Sequence, residues 1–409
     1  MRLLSWIGVV VALLWSRQAS AYPWMIRHEY QGCVPCHADP SGAGLLTEYG
    51  RAMGENVLRT RYGSKAPDEA PVYARFLFGV PTPDWLLLGG SVRNAVQFLK
   101  PSGAAFSKPL LLQMEADLKA QVTVSRFRAY GSIGYMARNA YPTQITSHQN
   151  DPNCSTTGPT LCTGNLVSRE HWVGLDLGED KQWLLRAGRI DIPFGIRNDE
   201  HDLLVRSTQT TRTNINESQQ HGVAAYYSGQ IVRGELMAIL GNYQINPDVF
   251  RERGYAGFVE FSLKPWATFG VSSLVTYAGK DYLTSAPHTI RQVHGVFTRL
   301  VPKEPLVIMA EADALVISAD GTNGNASTVP GMVSVVQADL EPTQGVHVVV
   351  SGENMVQSIS GATQVSYGAW VGALWFFAPH ADLRFDFVAS SIANSPVNIY
   401  LLPQIHLYL

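Results

Sequence analysis

The chain has 409 residues, a formal net charge of −2 and a hydrophobic fraction of 46%. Because there is no basic surplus, the composition argues against nucleic acid as a partner. Beyond the N-terminal leader, no stretch reaches the roughly 18 uncharged apolar residues that a membrane-spanning helix needs, which excludes a helical anchor.

The N-terminus predicts an export signal. Arg2 precedes an apolar run over residues 3–15, and small residues at 19–21 precede Tyr22. A basic start, a short apolar run and a small-residue cleavage site are typical of a secretory signal peptide. We therefore predict a signal peptide over residues 1–21 and an exported mature chain.

A C-x-x-C-H run follows shortly after this leader, formed by Cys33, Cys36 and His37. Two thiols at this spacing add across the vinyl groups of one haem, and the adjacent imidazole becomes an axial iron ligand. The alternatives are a redox dithiol and half of a zinc site. No second C-x-x-C completes a zinc tetrad, and no βαβ pattern surrounds the pair. The motif predicts one covalent haem c.

Residues 22–62 form a small predicted α-helical domain around this motif, with an amphipathic run at 46–58. About forty residues bury too little apolar surface to fold alone, so we expect the haem and a neighbouring domain to complete its core. The proline-rich stretch 63–84 is predicted to be an extended connector. The sequence thus indicates a haem plug followed by a linker.

From residue 85 to 409, polar and apolar positions alternate in segments of strand length. In 111–124 the odd positions are mostly polar and the even positions apolar, which gives a strand one wet face and one apolar face. Tight turns alternate with longer links, and a soluble sandwich would need a second apolar layer that is absent. We predict an all-β, sixteen-stranded outer-membrane barrel with both ends at the periplasmic side. The predicted strands are 85–99, 109–123, 125–139, 167–179, 181–194, 220–230, 232–243, 253–266, 267–280, 289–301, 305–318, 330–342, 345–358, 364–378, 381–394 and 397–409.

Two further features of this region carry predictions. Cys154 and Cys162 lie in a polar loop, and in an oxidising compartment we expect them to form a disulfide. Tryptophans near strand ends either form an interfacial aromatic girdle or simply pack. They are Trp172, Trp183, Trp266, Trp370 and Trp375.

The arrangement resembles the outer-membrane cytochrome–porin fusions of iron-oxidising bacteria. The similarity lies in Pro23, Arg27, the motif at 33–37, Leu46-Thr47 and Tyr49-Gly50-Arg51. The resemblance covers residues 22–52 in motif detail and the barrel in architecture. It implies one c-type haem domain ahead of a sixteen-stranded barrel, with an iron:cytochrome oxidoreductase activity.

The sixth iron ligand is open between His28, Met53, Met25 and a vacant position. His28 is slightly favoured because it precedes Cys33 closely and needs no long return of the chain. Met53 replaces an aromatic of the resembling family, which favours a packing role for it. Two imidazoles would give a lower potential than a histidine and a methionine.

Acidic side chains on the predicted lumenal faces either attract Fe²⁺ or another cation, or hydrate and cross-link the barrel interior. The four potential metal ligands at 199–202 in an external loop are either a candidate capture site or simply part of a solvated loop, since adjacent residues rarely converge on one ion. Three nearby loop arginines, at 197, 206 and 212, are candidates to fold inward and narrow the pore. The lumenal acidic residues are Glu115, Asp117, Glu311, Asp313, Glu353, Asp382 and Asp386.

Three functions follow from these features. The first is transfer of single electrons between an extracellular metal donor, chiefly Fe²⁺, and a periplasmic c-type cytochrome, in either direction. The second is a passive outer-membrane channel with a structural or gating haem plug. The third is a haem-based gas sensor, which requires a vacant sixth position. The fold alone does not distinguish them.

Overall fold

The computed structural model describes residues 22–42, 44–63, 76–77, 79–135, 166–197, 203–207, 210–213, 218–245, 247–282, 284–320, 326–359 and 361–409. The predicted signal peptide, most of the connector, the Cys154–Cys162 pair and the acidic cluster at 199–202 lie outside these residues. In the described part of the chain, no helix is long and apolar enough to cross a membrane.

Sixteen antiparallel strands are described, one of them in two pieces. They are β1 (Leu86–Lys100), β2 (Leu110–Val124), β3 (Phe127–Tyr135), β4 (Leu166–Val167 and His171–Leu177), β5 (Trp183–Ile190), β6 (Gln220–Ser228), β7 (Val232–Gly241), β8 (Arg253–Lys264), β9 (Ala267–Lys280), β10 (Pro287–Lys303), β11 (Leu306–Asp320), β12 (Ala326–Thr343), β13 (Val346–Ile359), β14 (Ala362–Ala378), β15 (Ala381–Ser391) and β16 (Asn398–Tyr408).

The sheet closes on itself. Each strand pairs with its sequence neighbours, and β1 also pairs with β16, so that Ser91 lies opposite both Asp117 and Tyr408. Closure gives every described strand a partner on each side, which a hydrocarbon environment requires. The predicted sixteen-stranded barrel is confirmed, and the short turns lie at the end that carries the start of β1 and the end of β16.

The two faces of the wall follow the alternation in the sequence. On β2, Leu118 is 62% exposed and faces outward, whereas Asp117 and Lys119 are buried and face the lumen. The tryptophans divide in the same way. Trp183, Trp266 and Trp375 are exposed on the outer face, while Trp172 and Trp370 are buried, so the packing alternative holds for these two. An apolar outer band and a polar interior are the surface pattern of barrels that sit in lipid.

Two segments fill the lumen. The first, residues 22–62, is called the lumenal segment, and it contains a 3₁₀ turn (Pro23–His28), helix α1 (Glu48–Met53) and a π turn (Gly54–Leu58). The second, residues 191–213, is called the inner loop because its described residues leave β5 and fold inward. The two segments meet where Ser41 Oγ donates to Asp191 Oδ2 at 3.2 Å.

Candidate functional site

The C-x-x-C-H motif forms one tight turn inside the barrel. The Cys36 and His37 amides donate to the Cys33 carbonyl at 3.1 and 3.0 Å. Neither cysteine is in a disulfide, and Cys36 is only 3% exposed. The turn therefore presents two reduced thiols and an imidazole from one short piece of backbone.

Helix α1 packs against this turn and holds it. Thr47 caps the helix by accepting from the Gly50 amide at 3.0 Å, and its hydroxyl donates to the Pro35 carbonyl at 2.6 Å. The Thr47 amide also donates to the Cys36 carbonyl at 2.9 Å. A Cβ atom at position 50 would lie 2.9 Å from the Cys36 Cα and would collide with the Cys36 backbone. Gly50 therefore allows the close approach of helix and turn.

Arg51, the residue after Gly50, joins this unit to the barrel wall. Its side chain is 1% exposed and donates to the Leu88 carbonyl on β1. Burial lowers its pKa, although Glu48 nearby opposes that shift. The guanidinium thus fixes the orientation of α1 relative to the start of the barrel.

A cavity that is partly open to solvent lies beside the motif. Cys36, His37 and Met53 line it, together with Met25 and His406. A second space is lined by Cys33. Tyr22, Pro23 and Arg197 line both spaces, so the motif lies between two neighbouring regions of the lumen.

Burial controls the state of the two thiols. It raises the pKa of Cys33, against the opposing effect of nearby arginines, and it raises the pKa of Cys36 to about 12, with a smaller contribution from Cys33. Both are neutral thiols at pH 7. Two thiols and one imidazole on one tight turn are the donor set for covalent attachment and axial ligation of a haem.

The three candidate residues for the other axial position have different surroundings. His28 does not line the cavity beside His37, and its Nε2 lies 3.3 Å from Glu341 Oε2. Met53 does line it, and its sulfur accepts a hydrogen bond from Tyr30 Oη at 3.2 Å. Met25 lines it too, but is 2% exposed and packs in an apolar cluster with Trp24.

Most of the lumenal carboxylates that were candidates for attracting cations are paired with basic side chains. Asp313 instead lies beside Glu311, and Glu353 accepts from the Leu204 amide of the inner loop at 2.6 Å. Within the described ranges, no group of three or more His, Cys, Asp and Glu side chains is arranged to hold a metal ion. The geometry thus favours cross-linking of the interior over cation capture. The pairs are Glu115 with Lys119, Asp117 with Arg169, Glu311 with Arg206, Asp382 with His406 and Asp386 with Arg384.

Sequence reasoning missed a buried anchor between the lumenal segment and β12. Arg27 donates to Asp339 and to the Pro305 carbonyl, the latter at 2.7 Å. His347 Nδ1 on β13 lies 3.1 Å from the same Asp339 carboxylate. Arg27 is visible as a motif residue, but its partner is 312 positions away, and nothing local in the sequence points to it.

Known structures share the barrel architecture. OmpT of Vibrio cholerae has 10% identity, with 81% of this chain and 100% of that chain covered, at a TM-score of 0.58. The outer membrane channel DcaP of Acinetobacter baumannii has 12% identity over 79% of this chain and 97% of that chain, at 0.55. An anion-selective porin from Comamonas acidovorans has 10% identity over 79% and 99%, at 0.54.

No family model and no curated protein matches the chain. At these low identities the likeness to solved structures concerns the fold. The closed sheet, its apolar outer band and its filled polar lumen define a sixteen-stranded β-barrel of the outer-membrane type.

Proposed function

We propose that this chain is an outer-membrane barrel with one covalent haem c in its lumenal segment, and that it transfers single electrons between an external reductant and a periplasmic c-type cytochrome. Fe²⁺ is the proposed external substrate. The observation that carries the proposal is the C-x-x-C-H turn inside the barrel, with Cys36 and His37 on one large cavity. The resemblance of residues 22–52 to cytochrome–porin fusions supports the same function.

The residues present fit a covalently held haem. Cys33 and Cys36 are free thiols and would form the two thioether bonds, while His37 would supply one axial nitrogen. The cavity beside them is bounded on one side by α1, which packs on the motif through Gly50. Bound there, the haem supplies a one-electron couple whose potential depends on its axial ligands and its burial.

Met53 is our proposed sixth ligand, in place of the sequence-based preference for His28. Met53 shares the cavity with His37, and the hydroxyl of Tyr30 orients its sulfur. His28 is instead directed to Glu341. A methionine ligand would raise the reduction potential relative to a second histidine, which suits uptake of an electron from a weak reductant such as Fe²⁺.

Two substitutions at Met53 test this assignment. M53H should keep the iron six-coordinate and lower the potential, whereas M53L should remove the thioether charge-transfer band of the ferric spectrum. M25L is the matched control, because it changes a second cavity-lining methionine by the same atoms. Unchanged spectra in M53L with altered spectra in H28Q would contradict the assignment.

Reduction by iron tests the function itself. Oxidised protein in detergent is mixed with Fe²⁺ in a stopped-flow spectrometer, and reduced-haem absorbance is followed. Saturable reduction, with electrons passed on to an added soluble c-type cytochrome, is the expected result. A chain that dithionite reduces but Fe²⁺ does not would overturn iron as the substrate.

The second candidate is a passive channel in which the lumenal segment gates solute flow. The observation that favours it is the solvent-connected cavity lined by charged side chains such as Lys119 and Arg93. Single-channel recording in a planar bilayer separates the two functions. A stable ion conductance in the intact protein favours the channel, whereas a closed barrel with a reversible haem potential favours electron transfer.

A further inference from the structure

Arg197 is a buried cation whose hydrogen-bonding groups are unused. It belongs to the inner loop, and its side chain is 9% exposed. All three guanidinium nitrogens are buried and make no hydrogen bond to the described residues. The guanidinium lies over the Phe258 ring at 5.7 Å and within 3.5 Å of one Glu235 oxygen, which is longer than a typical hydrogen bond.

Among the described residues, Glu235 is the carboxylate that pairs with Arg197, without a hydrogen bond between them. Glu235 also accepts a hydrogen bond from the fully buried Arg186, which pairs with Asp39 as well. The space beside Cys33 is lined by three arginines, at 197, 233 and 299, and by one carboxylate, Glu260. Glu260 is shared between the other two, with Arg233 at 3.1 Å and Arg299 closer still. The lining of this space therefore carries an excess of positive charge.

Such an arrangement is unfavourable without a ligand. A buried charged donor that loses its water and gains no acceptor destabilises the protein more than a neutral donor does. Guanidinium groups bind planar oxyanions through two parallel hydrogen bonds, and carboxylates match this geometry best. The free donors and the positive excess therefore both call for an anionic oxygen group.

We propose that Arg197, supported by Arg233 and Arg299, is a binding site for an anionic oxygen group in the lumen. Arg197 lines both the space beside Cys33 and the cavity beside His37, so it lies within the region assigned to the haem. The first source is a carboxylate of the haem itself, and this source rests on the proposed function. The second source of the same chemistry is a free inorganic anion that enters the lumen.

The first arm of the test measures the midpoint potential of the intact protein against pH, across the range in which carboxyl groups ionise. An arginine beside a carboxyl lowers its pKa by about 1–3 units, so the wild-type step should lie at low pH. In R197Q the pH at which this step occurs should rise by a similar amount. R197K should be intermediate. R253Q is the control, because Arg253 is 47% exposed and pairs with Asp248 outside the lumen.

The second arm uses the full chain with C33S and C36S, which cannot attach haem, and follows thermal unfolding in increasing sulfate. A ligand that binds only the folded state raises the unfolding temperature saturably. Stabilisation that disappears when R197Q is added, but persists with R253Q, assigns the site to a free anion. Such a result supports the site even if mass spectrometry shows no covalent haem on the wild-type chain and the proposed function fails.

The two arms together decide the proposal. A pH step that moves in R197Q alone supports a haem carboxylate at Arg197. Sulfate stabilisation that depends on Arg197 supports the free anion. If R197Q and R253Q behave as wild type in both arms, Arg197 binds no anionic group and the proposal is wrong.

Discussion

Replacing Arg27 by Met should release the lumenal segment from the barrel wall. The Arg27 side chain is 3% exposed and the Asp339 side chain is 0% exposed, so R27M keeps the apolar stem and leaves a buried carboxylate without its cation. Burial lowers the pKa of Arg27 to about 10, with Glu341 opposing, so the guanidinium is charged at pH 7 and the loss is that of an ion pair.

The size of the expected destabilisation depends on the partners that Asp339 keeps in R27M. Removing one member of a buried ion pair costs about 3–5 kcal/mol. His347 Nδ1, 3.1 Å from the carboxylate, continues to serve as a partner, so the lower end applies, about 3 kcal/mol. Because each 1.4 kcal/mol is a factor of ten, the released population should rise by roughly two orders of magnitude.

Hydrogen exchange of the backbone amides in residues 22–62 measures this change, because exchange reports the free energy of local opening. R27M should accelerate exchange there and leave the barrel strands protected. The double variant R27M/D339N should recover much of the lost stability, because it also removes the carboxylate charge that R27M leaves buried without a cation. R59M is the control, since the Arg59–Glu55 pair at 3.3 Å is partly exposed and contributes about 0.5 kcal/mol. Equal exchange in R27M and R59M would refute the argument.

Three further predictions concern the motif and an outer loop. Alkylation of the unfolded wild-type chain should label neither Cys33 nor Cys36 once two thioether bonds are present, and intact mass measures this; two labelled thiols would contradict covalent haem. G50A should destabilise the lumenal segment by about 1–3 kcal/mol in the same exchange assay, because the new methyl overlaps the Cys36 backbone. Burial disfavours ionised Asp281, but Arg212 at 2.8 Å overrides it and holds the pKa of that carboxyl below 3.8. The stabilisation from the Asp281–Arg212 ion pair is therefore present above pH 3.8 and is lost as the pH falls through the lowered pKa of Asp281. Limited proteolysis of residues 281–286 should then increase at acid pH in wild type but not in D281N.

The wall of the barrel is predictable because polar and apolar residues alternate along each strand and so mark its lumenal and outer faces. The alternation in β2 places Leu118 outward and Asp117 inward, and a slip of one residue would reverse every side chain. The main differences occur where the chain leaves the wall. The strand predicted over 181–194 ends at Ile190, because residues from 191 fold inward as the inner loop.

Contacts across the lumen are not predictable from local pattern. Arg27 and Asp339 meet only because the barrel brings β12 around the lumenal segment. Trp172 lies near the start of the His171–Leu177 piece of β4 and Trp370 lies in the middle of β14, and both have the parity of the lumenal face. The preference for His28 as an axial ligand is unreliable for the same reason. It rests on the closeness of His28 to Cys33 in sequence, whereas the fold directs His28 to Glu341.

The residues on which the predicted resemblance to cytochrome–porin fusions rests have a structural role in these contacts. Thr47 caps α1 and binds the motif turn, Gly50 permits contact with Cys36, and Arg51 anchors the helix to β1. These residues hold the C-x-x-C-H turn against the barrel wall, and buried pairs such as Arg27 with Asp339 hold the rest of the lumenal segment there. Release of the segment requires breaking such pairs, which opposes its displacement from the lumen. The proposed electron transfer needs no such displacement, because an electron passes without an open pore.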